Sequence, residues 1–299
     1  MDYSKVLKNS WQTIWKHKVI IWFGFMMAIP SIIMGLIMGG FFFFFNEENF
    51  PFFFNPYASE PDINLIFIIL FIVAIFAFTI LSYALMALSF AGVLKGTFDL
   101  EKREDSISFN ELWEATLPYL GRVFGVFFLV FFLIFAFFGI IMFFGALVGA
   151  VTAGLGFICL MPLFLLIIPL ELIAYLYASL AMATVIAEDV GVFDALKHAW
   201  EVMKQKFWQL VLMGIILVFV QWVLTMIVML PMQVAQFAFI FSADMTNSIP
   251  DPSTFFQPFA ILMAILIPVM SLIQGLGLTY ANAAWMLTYL NITAEPSED

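Results

Sequence analysis

Six long runs of apolar residues restrict what this chain can fold into. They cover about residues 19–44, 64–94, 122–147, 157–186, 208–240 and 259–290. Each run exceeds the ~20 residues that an α-helix needs to cross the ~30 Å hydrocarbon core of a bilayer. Because lipid offers no hydrogen bonds to the backbone, the segments that span it must satisfy their own polar groups as helices. The sequence therefore predicts an all-α, polytopic membrane helical bundle with six transmembrane helices.

The overall composition agrees with this prediction and argues against a soluble enzyme. Hydrophobic residues make up 64% of the 299 residues and charged residues only 11%, whereas soluble domains average about half and about a quarter. The polar stretches are too short for a catalytic domain, and none carries a phosphate-binding glycine loop or a known hydrolase motif. We therefore expect a protein that is not an enzyme, needs no cofactor or metal, and binds no nucleic acid.

Three amphipathic helices are predicted, directly ahead of the first, third and fifth apolar runs. In each, large apolar side chains recur at steps of three and four, opposite polar ones. The three stripes are Tyr3, Leu7, Trp11 and Ile14; Phe109, Leu112, Trp113, Thr116 and Leu120; and Phe193, Leu196, Trp200, Met203 and Phe207. Ser108 and Glu111 form the capping box that starts the middle helix. Since each helix adjoins an apolar run, we expect all three to lie in the membrane interface.

The distribution of charge predicts the orientation of the chain. With six spans, all eleven lysines and arginines fall on the same side as both termini, whereas the opposite loops carry only acidic residues. The positive-inside rule therefore places the termini and the three interfacial helices in the cytoplasm, with the spans in the inner (cytoplasmic) membrane of a prokaryote. The expected interfacial anchors, whose lysines also attract anionic headgroups, are Trp11, Trp15, Trp113, Trp200, Trp208, Lys16, Lys18, Lys204 and Lys206.

The three interfacial helices also indicate an internal repeat. Aligning them at Leu7, Leu112 and Leu196 brings Trp11 over Trp200, Lys8 over Lys197, and Arg122 over Lys206; Tyr83, Tyr175 and Tyr280 take matching places in the preceding spans. We therefore predict a single membrane domain, 1–299, of three tandem units, 1–94, 95–186 and 187–299. The alternative is that any hydrophobic hairpin with a basic amphipathic leader would align as well.

Glu171 is the only ionisable residue well inside a predicted span. A carboxylate at this depth is costly, and by default it suggests an ion or proton relay or a contact to a polar ligand. The structural alternative is a glutamate that is protonated or hydrogen-bonded, with Tyr175 or a neighbouring helix as its partner. Glu171 and Tyr175 are thus the intramembrane polar candidates.

Acidic residues and histidines near the interface have simpler explanations. Glu188 and Asp189 precede the third amphipathic helix, and we interpret them as caps that complement its dipole rather than as a metal site. His17 and His198 lie in basic helices with no second metal ligand nearby, so we expect ordinary solvated histidines.

One segment, Ala183–Trp208 and its edges, resembles a known group of membrane proteins. A span that ends in small residues is followed by a helix of the pattern A-L-x-x-[SA]-W-x-x-x-K-x-x-[FW]. This pattern resembles the membrane-domain group of glycerophosphoryl diester phosphodiesterases and related prokaryotic six-span families. The resemblance implies a six-span layout, which in some members is fused to a soluble phosphodiesterase domain. Because this chain contains no such segment, the resemblance implies neither that activity nor any catalytic residue.

Two functions are compatible with these features. The first is a non-enzymatic integral membrane protein that scaffolds or assembles a membrane complex, with lipid contact through its interfacial helices. Its partners would be the lipid bilayer together with further copies of this chain or other membrane subunits. The alternative is a transporter or channel for a small solute or lipid that uses Glu171.

Overall fold

The computed structural model of the protein describes residues 1–44, 65–102, 106–152, 155–245 and 252–294. Within these residues 94% are helical and no strand occurs, so the predicted all-α class is confirmed. The helices are α1 (Tyr3–Lys16), α2 (Val19–Met26), α3 (Ala28–Phe43), α4 (Leu65–Lys102), α5 (Phe109–Val151), α6 (Leu155–Glu188), α7 (Val192–Gln205), α8 (Phe207–Met245) and α9 (Pro252–Ala294).

Apolar helices long enough to cross a membrane make up most of the described chain. Five qualify on their own: Ile69–Lys102, Phe109–Val151, Leu166–Glu188, Phe207–Pro231 and Ala260–Ala294. α2 and α3 qualify together, although they meet at a bend of 46°. The described helices are therefore consistent with a multi-pass membrane protein of five spans, or of six if the bent pair is one span.

The three segments predicted as interfacial helices are helical, but they join their spans in different ways. α1 ends at a C-cap on His17 and α7 at a C-cap on Lys206, and in both cases the next helix begins directly afterwards. The middle segment has no such break, because α5 continues from Phe109 to Val151 through Pro118. The first and third segments are thus separate helices, whereas the middle one is the start of a long helix.

Hydrogen bonds at the helix starts confirm the predicted capping box. The Glu111 backbone N–H donates to Ser108 Oγ at 3.3 Å, and the Ser108 backbone N–H donates to Glu111 Oε2 at 3.4 Å. α1 has a comparable cap, since Asp2 Oδ1 accepts a hydrogen bond from the Lys5 backbone N–H at 3.1 Å. These side chains satisfy backbone donors that would have no partner within the helix.

The chain forms two compact units, each assembled from segments that are distant in the sequence. The first consists of Met1–Phe23, Ala87–Phe219 and Thr279–Asp299, and the second of Gly24–Met86 and Val220–Leu278. The three tandem units proposed from the sequence stay a prediction. α1, α7 and the start of α5 all belong to the first unit, so the features described below lie within it.

Small residues bring the helices of the first unit close together. A Cβ atom at Gly92 in α4 would overlap the ring of Phe23 in α2, and one at Gly214 in α8 would overlap Leu176 in α6. Phe23 and Leu176 are both fully buried. The alanine-rich stretch 174–183, predicted to suit close helix packing, is also largely buried.

Glycines have the same role in the second unit. Gly35 of α3 lies against Ile267 of α9, where a Cβ atom would overlap the isoleucine side chain. Gly277 of α9 lies close to the Gln221 amide of α8. Close approach at small residues is the usual way in which membrane helices associate, because lipid provides little hydrophobic drive for their packing.

Candidate functional site

The two intramembrane polar candidates are not partners of one another. Glu171 lies on the exposed surface of α6. The Tyr175 hydroxyl accepts a hydrogen bond from Trp285 Nε1 at 3.1 Å, and the two rings are edge-on with centroids 6.0 Å apart. Tyr175 therefore joins α6 to α9, and it does not serve as the partner that was considered for Glu171.

α1 and α7 pack on the protein through faces of small side chains. α1 buries Val6, Ser10 and Ile14, whereas α7 buries Ala195, Ala199, Val202 and Met203. When Leu7 is aligned with Leu196, Val6 falls over Ala195, Ser10 over Ala199, and Ile14 over Met203. The two helices thus present the same helical positions to the protein.

The large aromatic residues of the predicted stripes point away from the protein. Trp11 and Trp15 are 48% and 46% exposed, and Phe193 and Trp200 are 77% and 49% exposed. Only Ile14 and Met203 of the two stripes are fully buried. Each predicted apolar stripe therefore divides into a part that packs on the protein and an aromatic part that remains exposed.

Lysines lie beside these exposed aromatic residues. We define the α1 surface as Lys8, Trp11 and Trp15, and the α7 surface as Lys197, Trp200 and Lys204; all six residues are exposed. The Lys204 ammonium lies 5.8 Å from the centre of the Trp200 ring. Of the remaining predicted anchors, Lys16, Lys18 and Trp208 are exposed, whereas Trp113 and Lys206 are half-buried.

A tyrosine from a neighbouring span fixes each of these helices in the same way. The Tyr280 hydroxyl of α9 donates to the Leu7 carbonyl oxygen at 3.5 Å, and its ring lies edge-on to Trp11 at 5.9 Å.

In the other case, the Tyr177 hydroxyl of α6 donates to the Leu196 carbonyl oxygen at 2.9 Å. Its ring lies edge-on to Trp200 at 6.1 Å. The sequence alignment paired Tyr280 with Tyr175, but the residue that makes the equivalent contacts is Tyr177. Tyr175 lies two positions earlier on the helix, where its hydroxyl is held by Trp285.

The ends of α1 and α7 also correspond. The His17 backbone N–H donates to the Thr13 carbonyl at 3.0 Å, and the Lys206 backbone N–H donates to the Val202 carbonyl at 3.0 Å. His17 and Lys206 follow Leu7 and Leu196 by the same number of residues. Burial, followed by the positive charge of Lys16, lowers the pKa of His17 below its usual value of 6.5.

The middle helix departs from this arrangement. Leu112, which aligns with the half-buried Leu7 and Leu196, is fully buried. Trp113 packs on the start of the first span, with its ring centroid 6.3 Å from that of Phe23. Tyr83 is 46% exposed, and Arg122 forms an ion pair instead of ending a helix.

The turn between α6 and α7 holds an ionic cluster that the sequence did not predict. Glu188 Oε1 accepts a hydrogen bond from the Tyr289 hydroxyl at 2.6 Å and lies 3.3 Å from His198 Nε2. Asp189 Oδ1 lies 2.6 Å from an Arg122 nitrogen, and its backbone has a positive φ of 53°. These contacts join α6 to α5, α7 and α9.

The expected roles of these residues change accordingly. Gly191 is the N-cap of α7 and no side chain caps it, so the interpretation of Glu188 and Asp189 as its caps is wrong. The reason is that Tyr289 and Arg122 engage both carboxylates outside the first turn of α7. His198 is half-exposed, as expected for a solvated histidine, but it also contacts Glu188.

A cavity of about 390 Å³ opens beside this cluster. Its lining includes Glu188, His198, Glu201 and Lys206, together with the apolar side chains of Val202 and Ile292. Among the described residues, no group of three or more histidine, cysteine and acidic side chains is arranged to hold a metal ion. The lining therefore combines two carboxylates with one lysine and one histidine.

Comparisons with known proteins add no further identification. No family model matches the chain, and no match was found among the curated proteins or the solved structures. The resemblance to the phosphodiesterase membrane-domain group stays a prediction based on the segment around α7.

Proposed function

We propose that the protein is a non-enzymatic membrane scaffold that binds anionic lipid headgroups through the α1 and α7 surfaces. It would use this attachment to hold or assemble a complex of membrane subunits. The observation that carries the proposal is the matching exposure of Lys8 and Trp11 with Lys197 and Trp200, while the opposite faces of both helices are packed on the protein.

The chemistry of the two surfaces suits a membrane interface. Indole rings partition to the level of the headgroups, and each lysine near an anionic membrane surface contributes about 1 kcal/mol of attraction. The tyrosine contacts fix both helices, so the surfaces are held ready for binding, and less conformational entropy is lost when a lipid binds.

The proposed location is the cytoplasmic side of a prokaryotic inner membrane. The support comes from the lysines and arginines, which fall on one side of the chain if six spans are formed. The corresponding contacts of α1 and α7 support a repeat between the first and third proposed units. The middle unit shares the sequence pattern, but the contacts of Leu112 and Trp113 differ.

The exposed position of Glu171 supports a role in assembly. A carboxylate on the outer surface of an apolar helix is costly in lipid, and contact with a polar group of a neighbouring subunit would lower that cost. We therefore propose that a further copy of this chain or another membrane subunit covers this part of α6. Loss of oligomers or of co-purifying subunits in Glu171→Leu, with Tyr175→Phe as control, would support this role.

Transport of a small solute or lipid through Glu171 is the alternative proposed from the sequence. The described cavity does not have Glu171 in its lining, and no contact of the described residues favours transport. If the purified protein carried out solute or lipid flux in liposomes, and Glu171→Gln abolished it, the scaffold proposal would be replaced by this one.

Native mass spectrometry tests lipid binding directly. The purified protein is mixed with equal amounts of phosphatidylglycerol and phosphatidylcholine, and the retained lipids are counted. We expect preferential retention of phosphatidylglycerol, reduced in Lys8→Gln and in Lys197→Gln and further reduced in the double variant. The matched control is Lys102→Gln, which removes an exposed lysine outside both surfaces. Equal retention of the two lipids, or equal effects of all three single variants, would refute the proposal.

A further inference from the structure

The cavity at the turn between α6 and α7 has a lining whose charges ask for a ligand of a particular kind. We call it the turn pocket and define it by Glu188, His198, Glu201, Lys206, Val202 and Ile292. Its volume of about 390 Å³ lies within the range of known small-molecule sites, ~300–1,000 Å³. The pocket is formed by the first unit alone, from the end of α6, from α7 and its C-cap, and from the end of α9.

The Glu188 side chain is held in place from two sides. The Tyr289 hydroxyl donates to Oε1 at 2.6 Å, and His198 Nε2 lies 3.3 Å from the same oxygen. Tyr289 is 1% exposed, so its hydroxyl is fixed by the surrounding packing. A carboxylate that is oriented in this way loses little conformational freedom when it binds a ligand.

The remaining polar groups define two ends of a ligand. Glu188 and Glu201 supply two carboxylates, which together suit a group that carries a positive charge and several N–H donors. Lys206 supplies an ammonium group, which suits an anion. A ligand with only one sign of charge would leave one of these ends without a partner, whereas a zwitterion complements both.

The surroundings of the pocket narrow the anion to a phosphate ester. α7 carries the pocket lining on one side and the exposed Trp200 and Lys204 on another. If those residues lie in the membrane interface, as the proposed function has it, the pocket lies at the level of phospholipid headgroups. Val202 and Ile292 are apolar and can contact the methylene groups between an amine and a phosphate.

We infer that the turn pocket binds an aminoalkyl phosphate, with its primary ammonium group at Glu188 and Glu201 and its phosphate at Lys206. The same chemistry occurs in free phosphoethanolamine and in the headgroup of phosphatidylethanolamine. The choice of a phosphate rests on the proposed interfacial position of α7, whereas the need for an ammonium group rests on the pocket lining alone.

Competition between lipids in native mass spectrometry tests this inference. The purified protein is mixed with equal amounts of phosphatidylethanolamine, phosphatidylcholine and phosphatidylglycerol. The trimethylammonium group of phosphatidylcholine has no N–H donors, so we expect lower retention of that lipid. Glu201→Gln should reduce retention of phosphatidylethanolamine by about tenfold, as expected when a charge-assisted hydrogen bond is lost. Glu114→Gln removes an exposed carboxylate of α5 outside the pocket and is the matched control.

A second arm identifies the source of the ligand. Free phosphoethanolamine is titrated into the protein by calorimetry, with phosphocholine as the comparison. Binding of free phosphoethanolamine that is lost in Glu201→Gln would support a soluble ligand. Selective retention of phosphatidylethanolamine without binding of the free compound would support a lipid headgroup.

Two results would overturn the inference. One is no preference for the primary amine in either arm. The other is an equal loss of binding in Glu114→Gln and Glu201→Gln, which would indicate an effect of net charge. Phosphatidylglycerol retention in the same samples reports on the α1 and α7 surfaces. If it remains sensitive to Lys8→Gln while the amine preference is absent, the inference fails and the proposed function stands.

Discussion

Alanine substitutions at two glycines are expected to change stability in opposite directions. Gly92 and Gly121 are both in helices, where alanine is favoured over glycine by about 1 kcal/mol. At Gly121 no atom lies within 4 Å of the position that a Cβ would take. We therefore expect Gly121→Ala to raise the free energy of unfolding by up to about 1 kcal/mol.

At Gly92 the same substitution meets a fixed neighbour. The new Cβ would overlap Cγ and Cδ1 of Phe23, and this ring is fully buried. Cγ lies on the axis of ring rotation, so a ring flip cannot relieve the overlap, and the helix or the ring must shift. Overpacking of this kind costs about 1–3 kcal/mol, which outweighs the gain in helix propensity. We expect a net destabilisation of up to about 2 kcal/mol for Gly92→Ala.

Equilibrium unfolding in mixed micelles with increasing fractions of sodium dodecyl sulfate measures both effects. The wild type and the two variants are compared in the same non-ionic detergent, with tryptophan fluorescence as the probe. Gly214→Ala, which meets the fully buried Leu176, is expected to behave like Gly92→Ala. An increase in stability for both Gly92→Ala and Gly214→Ala would refute the close helix packing described for the first unit.

Three further substitutions test individual contacts. Tyr289→Phe keeps the buried ring but removes the hydrogen bond to Glu188, and should lower the unfolding free energy in mixed micelles by about 1 kcal/mol; no change would contradict the contact. Asp189→Gly relieves a positive φ and loses only an exposed ion pair, so it should be neutral or stabilising by up to about 1 kcal/mol. Because its folded-state pKa is below 6.5, His17 destabilises the fold as pH falls through that value; His17→Gln should flatten the decline between about pH 7 and 5, and an unchanged pH profile would refute this.

Much of the fold could be predicted from the sequence because it depends on local patterns. The apolar runs predicted the helices, and the pair Ser108 and Glu111 predicted a helix start that the hydrogen bonds confirm. The end of α4 was less accurate, since this helix continues to Lys102 beyond the predicted end of the span. There, the Lys95 ammonium lies 2.8 Å from Asp99 Oδ1 one helical turn later, and such pairs stabilise a helix.

The packing faces of α1 and α7 could not be predicted from hydrophobicity. Ser10 and Ala199 are weakly apolar, yet they are the residues that allow close contact with neighbouring helices. Trp11 and Trp200 dominate any hydrophobic pattern, but they remain exposed. A search for small residues at steps of three and four would have identified the buried face.

The ionic cluster at the α6–α7 turn depends on long-range contacts and gave no local signal. Glu188 is bonded to Tyr289, which lies about a hundred residues later in the chain and within an apolar helix. The acidic pair Glu188 and Asp189 before a helix start has the sequence pattern of a cap, and nothing nearby in the sequence distinguishes the two roles. Tertiary contacts determined the outcome.

The depth of α1 and α7 in the membrane is the most direct test of the central claim. In a variant without the natural cysteine, a nitroxide label is attached at Trp11→Cys or at Trp200→Cys, and its accessibility to oxygen and to a water-soluble nickel complex is measured in liposomes containing phosphatidylglycerol. The account predicts that both labels report the same depth, at the level of the headgroups. Full accessibility of either label to the nickel complex, as in bulk water, would contradict it.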